Sequence, residues 1–288
     1  MEALLKEPKK RVWEVDFLRG FAILLVVLDH AMVDLGDIFY GAWVSSDIAG
    51  LVNAAESASN YLVSDIRTIW HPIFVFIFFF VSGLSCALSK NNFVRGFKLL
   101  IVAQIVTVAT AAVSAIIEFD LTISFGVLHA LAISIIIFSA VDFVATKFSK
   151  TKQERTIFYL ALSVFIFVLS TGIFARTGID YTKMLSYGGK MLDKGVFEGV
   201  FVYTKAMGRV SPGDYFPLLP HLGWFAIGAA LSAVLYPDKK SLLPKLDGKW
   251  HYPLTITGRF TLLIYIGEQV VLALLLALIT YAVTGTFF

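Results

Sequence analysis

The chain has 288 residues, of which 58% are hydrophobic, 15% aromatic and only 16% charged, with a formal net charge of +3. Soluble domains average about 45–50% apolar and about 25% charged residues, so this composition, with a mean hydropathy of +0.79, excludes an ordinary soluble globule and selects an integral membrane protein. No nucleic-acid partner is expected, and the one cysteine, Cys86, lies in an apolar run as a small packing residue without a disulfide partner.

A bilayer core about 30 Å thick takes roughly 20 apolar residues per helix. Seven runs approach that length: 15–35, 69–89, 97–118, 125–146, 156–175, 216–236 and 258–283. They lack the alternation of barrel strands. The predicted fold is therefore all-α, a single polytopic domain over 1–288 with about seven transmembrane helices.

The first run, WEVDFLRGFAILLVVLDHAMVDL, is too long for a signal-peptide core and has no small-residue cleavage site after it, so it reads as a signal anchor. Arg19 and His30 lie on one face of it, about 16 Å apart along a helix axis. Ionisable residues inside an apolar run are costly unless they are paired, hydrated or used. Asp16, three residues before Arg19, is placed to pair with it. Asp34, one turn beyond His30, is placed to orient the imidazole.

The long connection over 36–68 contains AGLVNAAESASNYLV, which suits an amphipathic helix lying on the surface. The connection over 176–214 contains GVFEGVFVYTKAM, which suits a short interfacial or re-entrant helix. Basic loops (KEPKKR, KNNFVRGFK, KFSKTKQER, PDKKSLLPKLDGKW) alternate with acidic ones, the loop after the first run holding five carboxylates against the single Arg67. The positive-inside rule then predicts a cytoplasmic N-terminus and an external C-terminus.

Depth sorts the polar residues. His30, His71, His129 and His221 fall in the outer part of four different spans, while His251 is cytoplasmic. Lys10, Arg11, Arg19, Arg95, Lys98 and Arg259 lie at or just inside the cytoplasmic boundary. Positive-inside bias and snorkelling explain Lys10, Arg11, Arg95 and Lys98 without a further role. His71 and His221, beside Pro72 and Pro220, also suit helix entries. Glu268 lies deeper in the last span, with Gln269 beside it and Tyr265 one turn before; a carboxylate there should face a polar interior. Small residues such as Gly228 and Ser232, expected to face lipid, permit helix packing and a homodimer.

At these residues the chain resembles the heparan-alpha-glucosaminide N-acetyltransferase catalytic-domain family, in its small prokaryotic branch. The resemblance is carried, in order along the chain, by WEVDFLRGFAILLVVLDH, FIFFFVSGLSCALS, SFGVLHALAIS, GDYFPLLPHLGWFAIGAALSAVLYP and TGRFTLLIYIGEQ. The spacing from Arg19 to His30 is also similar to the signature of the wider transmembrane acyltransferase superfamily. Relatives usually have a histidine before the glutamine and a proline after it in the last motif, where this chain reads Glu268-Gln269-Val270. The lysosomal relative has an asparagine in place of His30 and uses a histidine in the following loop, whereas residues 31–70 here contain none.

The resemblance implies an acetyl-CoA-dependent transferase in a prokaryotic plasma membrane, with an external sugar or glycan as acceptor. Arg19, Arg259, Arg11 and Lys98 would face the donor's phosphates, because guanidinium and ammonium groups favour them. His30 would be the general base, with Asp34 orienting it and His129, Gln269 or Tyr265 donating to the oxyanion; a covalent acyl-histidine is an alternative course. Two other readings compete: a transporter or channel using Arg19, Asp16 and Glu268 as a polar path, and a metal or haem site built from the outer histidines. Since no two histidines on one span have ligand spacing, no metal is expected.

Overall fold

A computed structural model describes residues 11–117, 119–179 and 190–286. Lys10, Glu118 and the centre of the 176–214 connection lie outside the described residues. The structure is all-α. Among the described residues, six helices are long and apolar enough to cross a membrane: α4 (Asp65–Leu88), α5 (Asn92–Ile117), α6 (Val127–Phe148), α7 (Lys152–Thr177), α10 (Leu218–Leu235) and α12 (Thr261–Thr284). The first run forms α1 (Trp13–Val33), of comparable length, but Glu14, Asp16, Arg19 and Asp29 set it apart from those six. Apolar side chains such as Ile101, Ile105 and Val108 on α5, and Val270, Val271 and Leu274 on α12, are exposed. Such faces suit lipid tails, where a helix satisfies its own backbone.

The residues divide into two compact units: 11–15, 78–179 and 190–248 in the first, and 16–77 and 249–286 in the second.

In the first unit α5 lies along α6, and α10 packs against α7 and α6. Backbone-to-backbone approach sets the fit. Gly83 of α4 lies against the Phe225 carbonyl of α10, and Gly228 of α10 against the Phe80 carbonyl of α4; a Cβ at either position would collide with that backbone. Gly228 and Ser232 are buried, so these small residues serve packing within the chain, a correction to their expected lipid-facing place. Phe138 packs against Tyr159 and Phe225 at ring separations of 5.1 and 5.9 Å.

The T-x-x-E sequence at 151–154 starts α7. Thr151 Oγ1 accepts from the Glu154 amide at 3.1 Å, and Glu154 Oε2 accepts from the Lys150 amide at 2.7 Å, so side chains satisfy amides at the helix entry. Gly178 ends the helix at φ 69°, the left-handed conformation that favours glycine.

The expected single helix at GVFEGVFVYTKAM is instead two short pieces, α8 (Val196–Gly199) and α9 (Lys205–Val210). Thr204 caps α9, accepting from the Met207 amide at 3.2 Å. The Tyr215 hydroxyl meets the Gly199 and Val202 carbonyls at 2.8 and 2.7 Å. Carbonyls at the end of α8 and just past it thus find a partner off the helix axis, and the chain turns. Burial pushes the Tyr215 hydroxyl up to about 12, so it stays protonated.

In the second unit α1 runs into a π-helical turn (Asp34–Ile38), followed by α2 (Tyr40–Val44) and α3 (Ala49–Leu62). Ala55, Ala58 and Leu62 make the buried stripe of α3, and Gly36 of the π turn meets the Ser59 amide. Phe39, Trp43, Ala55 and Leu276 form a core, and Trp43 Nε1 donates to Thr280 Oγ1 at 2.7 Å.

The expected run over 258–283 is also divided: α11 (Tyr252–Arg259) ends at Phe260, where α12 begins. The Gly258 Cα approaches the Asp16 carbonyl, and Gly20 approaches the Leu254 carbonyl, each too closely for a Cβ. These two glycines bring α11 against the start of α1.

Candidate active site

Within the second unit, polar residues gather around two stretches of α1. Near its start, Arg19 Nη1 donates to Asp16 Oδ1 at 2.9 Å, and Arg259 Nε lies 3.8 Å from Asp16 Oδ2. Asp16 is buried while Arg19 and Arg259 are 26% and 44% exposed, so the carboxylate anchors two guanidinium groups whose outer edges reach solvent. The close approach at Gly258 positions the neighbouring Arg259. Arg11 and Lys98 belong to the first unit and are both exposed.

Near the end of α1, α12 contributes adjacent residues to two partners. His30 Nδ1 hydrogen-bonds Glu268 Oε1, and Gln269 Nε2 donates to Asp34 Oδ1 at 2.6 Å. The carboxylate that orients His30 is therefore Glu268; Asp34, expected in that role, is completely buried and receives the Gln269 amide. The Glu268 side chain is 5% exposed, against 35% for His30. An ionised Glu268 can only accept, so Nδ1 carries the imidazole proton and the lone pair falls on Nε2. Tyr265, one turn back on α12, has its ring 6.3 Å from that of His30. Glu268 Oε2 and Asp34 Oδ2 are buried without a hydrogen-bond partner, a requirement for donors in two places beside His30.

Beside this pair is a cluster that sequence reasoning missed. Asp29 receives both Arg67 Nε and Arg67 Nη2 at 2.8 Å, a two-pronged ion pair in which the side chains are 4% and 2% exposed. The Tyr61 hydroxyl donates to Asp29 Oδ1 at 3.2 Å; burial, followed by the Asp29 charge, pushes that hydroxyl up to about 12 and keeps it a donor. His71 Nε2 lies 3.6 Å from Asp29 Oδ2. Arg67 is thus a buried residue of α4 tied to α1, where the sequence suggested a loop cation among carboxylates. The available signal was Asp29 itself: a carboxylate inside an apolar helix needs a cation, and the acidic connection offers only Arg67.

The first unit uses its histidines differently. His129 Nδ1 accepts from the Gly126 amide at 3.3 Å and Nε2 faces Thr107 Oγ1 at 3.2 Å, so both ring nitrogens are engaged in closing the start of α6. His221 is fully buried, its Nδ1 bonded to the Pro217 carbonyl at 2.6 Å and its ring stacked on Phe79 at 4.8 Å. Both are packing and capping groups in this arrangement. Among the described residues, no group of three or more His, Cys, Asp or Glu is placed to hold a metal ion.

Among the described residues, six long apolar helices define a polytopic membrane protein, and a buried carboxylate holds one histidine of its second unit. A family model for the catalytic domain of heparan-alpha-glucosaminide N-acetyltransferase matches residues 11–270. The chain belongs to that family and is a membrane acetyltransferase; membership implies acetyl-CoA use. No curated protein and no solved structure matches the chain.

Proposed function

We propose that the protein transfers an acetyl group from cytoplasmic acetyl-CoA to a hydroxyl or amine of an external glycan or amino sugar, in the plasma membrane of a prokaryote. On this reading α1 is a seventh membrane span, the N-terminus is cytoplasmic and the C-terminus external. The alternation of basic and acidic loops supports that orientation. Arg19 and Arg259, gathered on Asp16, face the donor's phosphates at the cytoplasmic end. His30 stands about 16 Å further along the helix, at the acceptor's end.

His30 is the general base. Glu268 holds the proton on Nδ1, which leaves the Nε2 lone pair to take the acceptor's proton as its oxygen or nitrogen attacks the thioester carbonyl. The carbon–sulfur bond then breaks, and the coenzyme leaves as a thiolate that recovers the proton from the imidazolium. Glu268 offsets the positive charge that His30 gains in between. Gln269 is tied to Asp34 and acts as a brace, and Tyr265, one turn back on α12, donates to the oxyanion.

The observation that carries this reading is the His30–Glu268 pair in a member of an acetyltransferase family. Acetyl-CoA-dependent transfer by the purified protein should fall about 10²–10⁴-fold in His30→Ala. An unchanged rate in that variant would remove His30 from the chemistry.

A further inference from the structure

A polar cavity in the first unit has no part in the mechanism above. It has a volume of about 270 Å³ and is lined by the last turn of α4, the starts of α5 and α7, and the ends of α6 and α10. Lys152, Arg155 and Lys239 reach it, against a single carboxylate, Asp142. That carboxylate is already engaged, accepting the hydroxyl of Tyr159, a buried residue on the same wall. Among the described residues none of the three cations has a carboxylate partner. Three unpaired cations around one recess repel each other, and an anion relieves that repulsion.

Two details show a built recess rather than a general cytoplasmic excess of lysine and arginine. Lys152, Arg155 and Tyr159 share one face over the first two turns of α7, where helix-end amides add positive potential. Lys239 holds a left-handed backbone at φ 56°, a conformation that favours glycine over a residue with a Cβ. It closes a turn on the Tyr236 carbonyl, with Tyr236 also in the cavity wall.

The cavity asks for a donor as well as an anion. Asn92 Nδ2 donates to the Cys86 carbonyl at 3.1 Å, which fixes the orientation of the amide because that carbonyl can only accept. Asn92 Oδ1 is consequently turned the other way, buried and without a hydrogen-bond partner. A bare inorganic anion would leave it unsatisfied. A phosphate ester with an amine or hydroxyl close to the phosphate would not.

We propose that this cavity binds a phosphate-bearing ligand, with Lys152, Arg155 and Lys239 on the phosphate and Asn92 Oδ1 accepting from a neighbouring amine or hydroxyl. Two sources have this chemistry: a soluble nucleotide phosphate ester, bound apart from the donor whose phosphates face Arg19 and Arg259, and a phosphatidylglycerol headgroup.

The test uses the full-length protein, with Arg155→Gln/Lys239→Gln and the milder Lys152→Gln, each checked for an unchanged unfolding temperature. Adenosine 3′,5′-bisphosphate is titrated into protein in neutral detergent, and nanodiscs of phosphatidylglycerol are compared with nanodiscs of phosphatidylcholine for lipid retained by the protein. The inference predicts at least a tenfold weaker Kd for the bisphosphate, or loss of phosphatidylglycerol retention, in the double variant, with a smaller change in Lys152→Gln. Loss in the first arm assigns the nucleotide, and loss in the second assigns the lipid. If both variants match the wild type in both arms, the inference is overturned, while acetyl transfer that still depends on His30 would leave the proposed function standing. If instead transfer is absent but the cations still govern lipid retention, the proposed function fails and the cavity assignment holds.

Discussion

The two units place histidines at similar expected depths and give them opposite surroundings. In the first, His129 and His221 spend their ring nitrogens on backbone groups and a threonine hydroxyl close to a helix start. In the second, His30 bonds a buried carboxylate on another helix and keeps a third of its side chain exposed. Glycine-to-carbonyl approaches occur in both units, but the second also joins its helices through the charged and polar pairs Asp29–Arg67, His30–Glu268, Asp34–Gln269 and the Asp16 cluster. Expected depth is thus the same for all three rings, and it is the partner that sets His30 apart in the proposed function. A backbone carbonyl or amide fixes a ring in place, while a carboxylate can also balance a charge that the ring gains.

The contrast can be broken first at the ion pair. Arg67→Met leaves Asp29 as an uncompensated buried charge, which should cost about 3–5 kcal/mol and lower the unfolding temperature sharply in detergent. Adding Asp29→Asn should recover part of that loss, and an unchanged unfolding temperature in Arg67→Met would remove the pair from the account. Next in size, Glu268→Gln can no longer balance an imidazolium. It should slow acetyl transfer about tenfold or more while acetyl-CoA binding, measured separately, stays near the wild-type value.

In the first unit the expected losses are of stability rather than rate. Gly228→Ala pushes a methyl group into the Phe80 carbonyl and should cost about 1–3 kcal/mol, read as a lower unfolding temperature with the specific activity of the folded fraction preserved. His129→Gln should be smallest. Losing one or two hydrogen bonds at the start of α6 costs about 1 kcal/mol, and the transfer rate should stay within a few-fold of wild type. A large rate loss in His129→Gln at unchanged stability would give that residue the chemical role its bonding denies it.

The elements were legible in the sequence where composition alone decides them. Long apolar runs made α4 to α7, α10 and α12 plain. Boundaries were not legible where a distant group decides them: the Tyr215 hydroxyl divides the 195–207 segment, and the break at Phe260 follows from close packing at Gly20 and Gly258. At the site, Arg19, Asp16, His30 and Glu268 stood out because charge inside an apolar run is costly. Which carboxylate meets which cation was hidden, since His30 and Glu268 are 238 residues apart and Asp34 lies nearer in sequence. Asp29 and Arg67 were hidden for the same reason. Each looked ordinary by itself, one beside a histidine and the other in an acidic connection.

The most direct test of the account is to measure acetyl-CoA-dependent transfer for His30→Ala, His129→Gln and His221→Gln side by side, in proteoliposomes with the rates normalised to folded protein. The account predicts a fall of about 10²–10⁴-fold for His30→Ala, with the other two within about tenfold of the wild type. Full activity in His30→Ala, with the loss appearing at His129 or His221 instead, would contradict it.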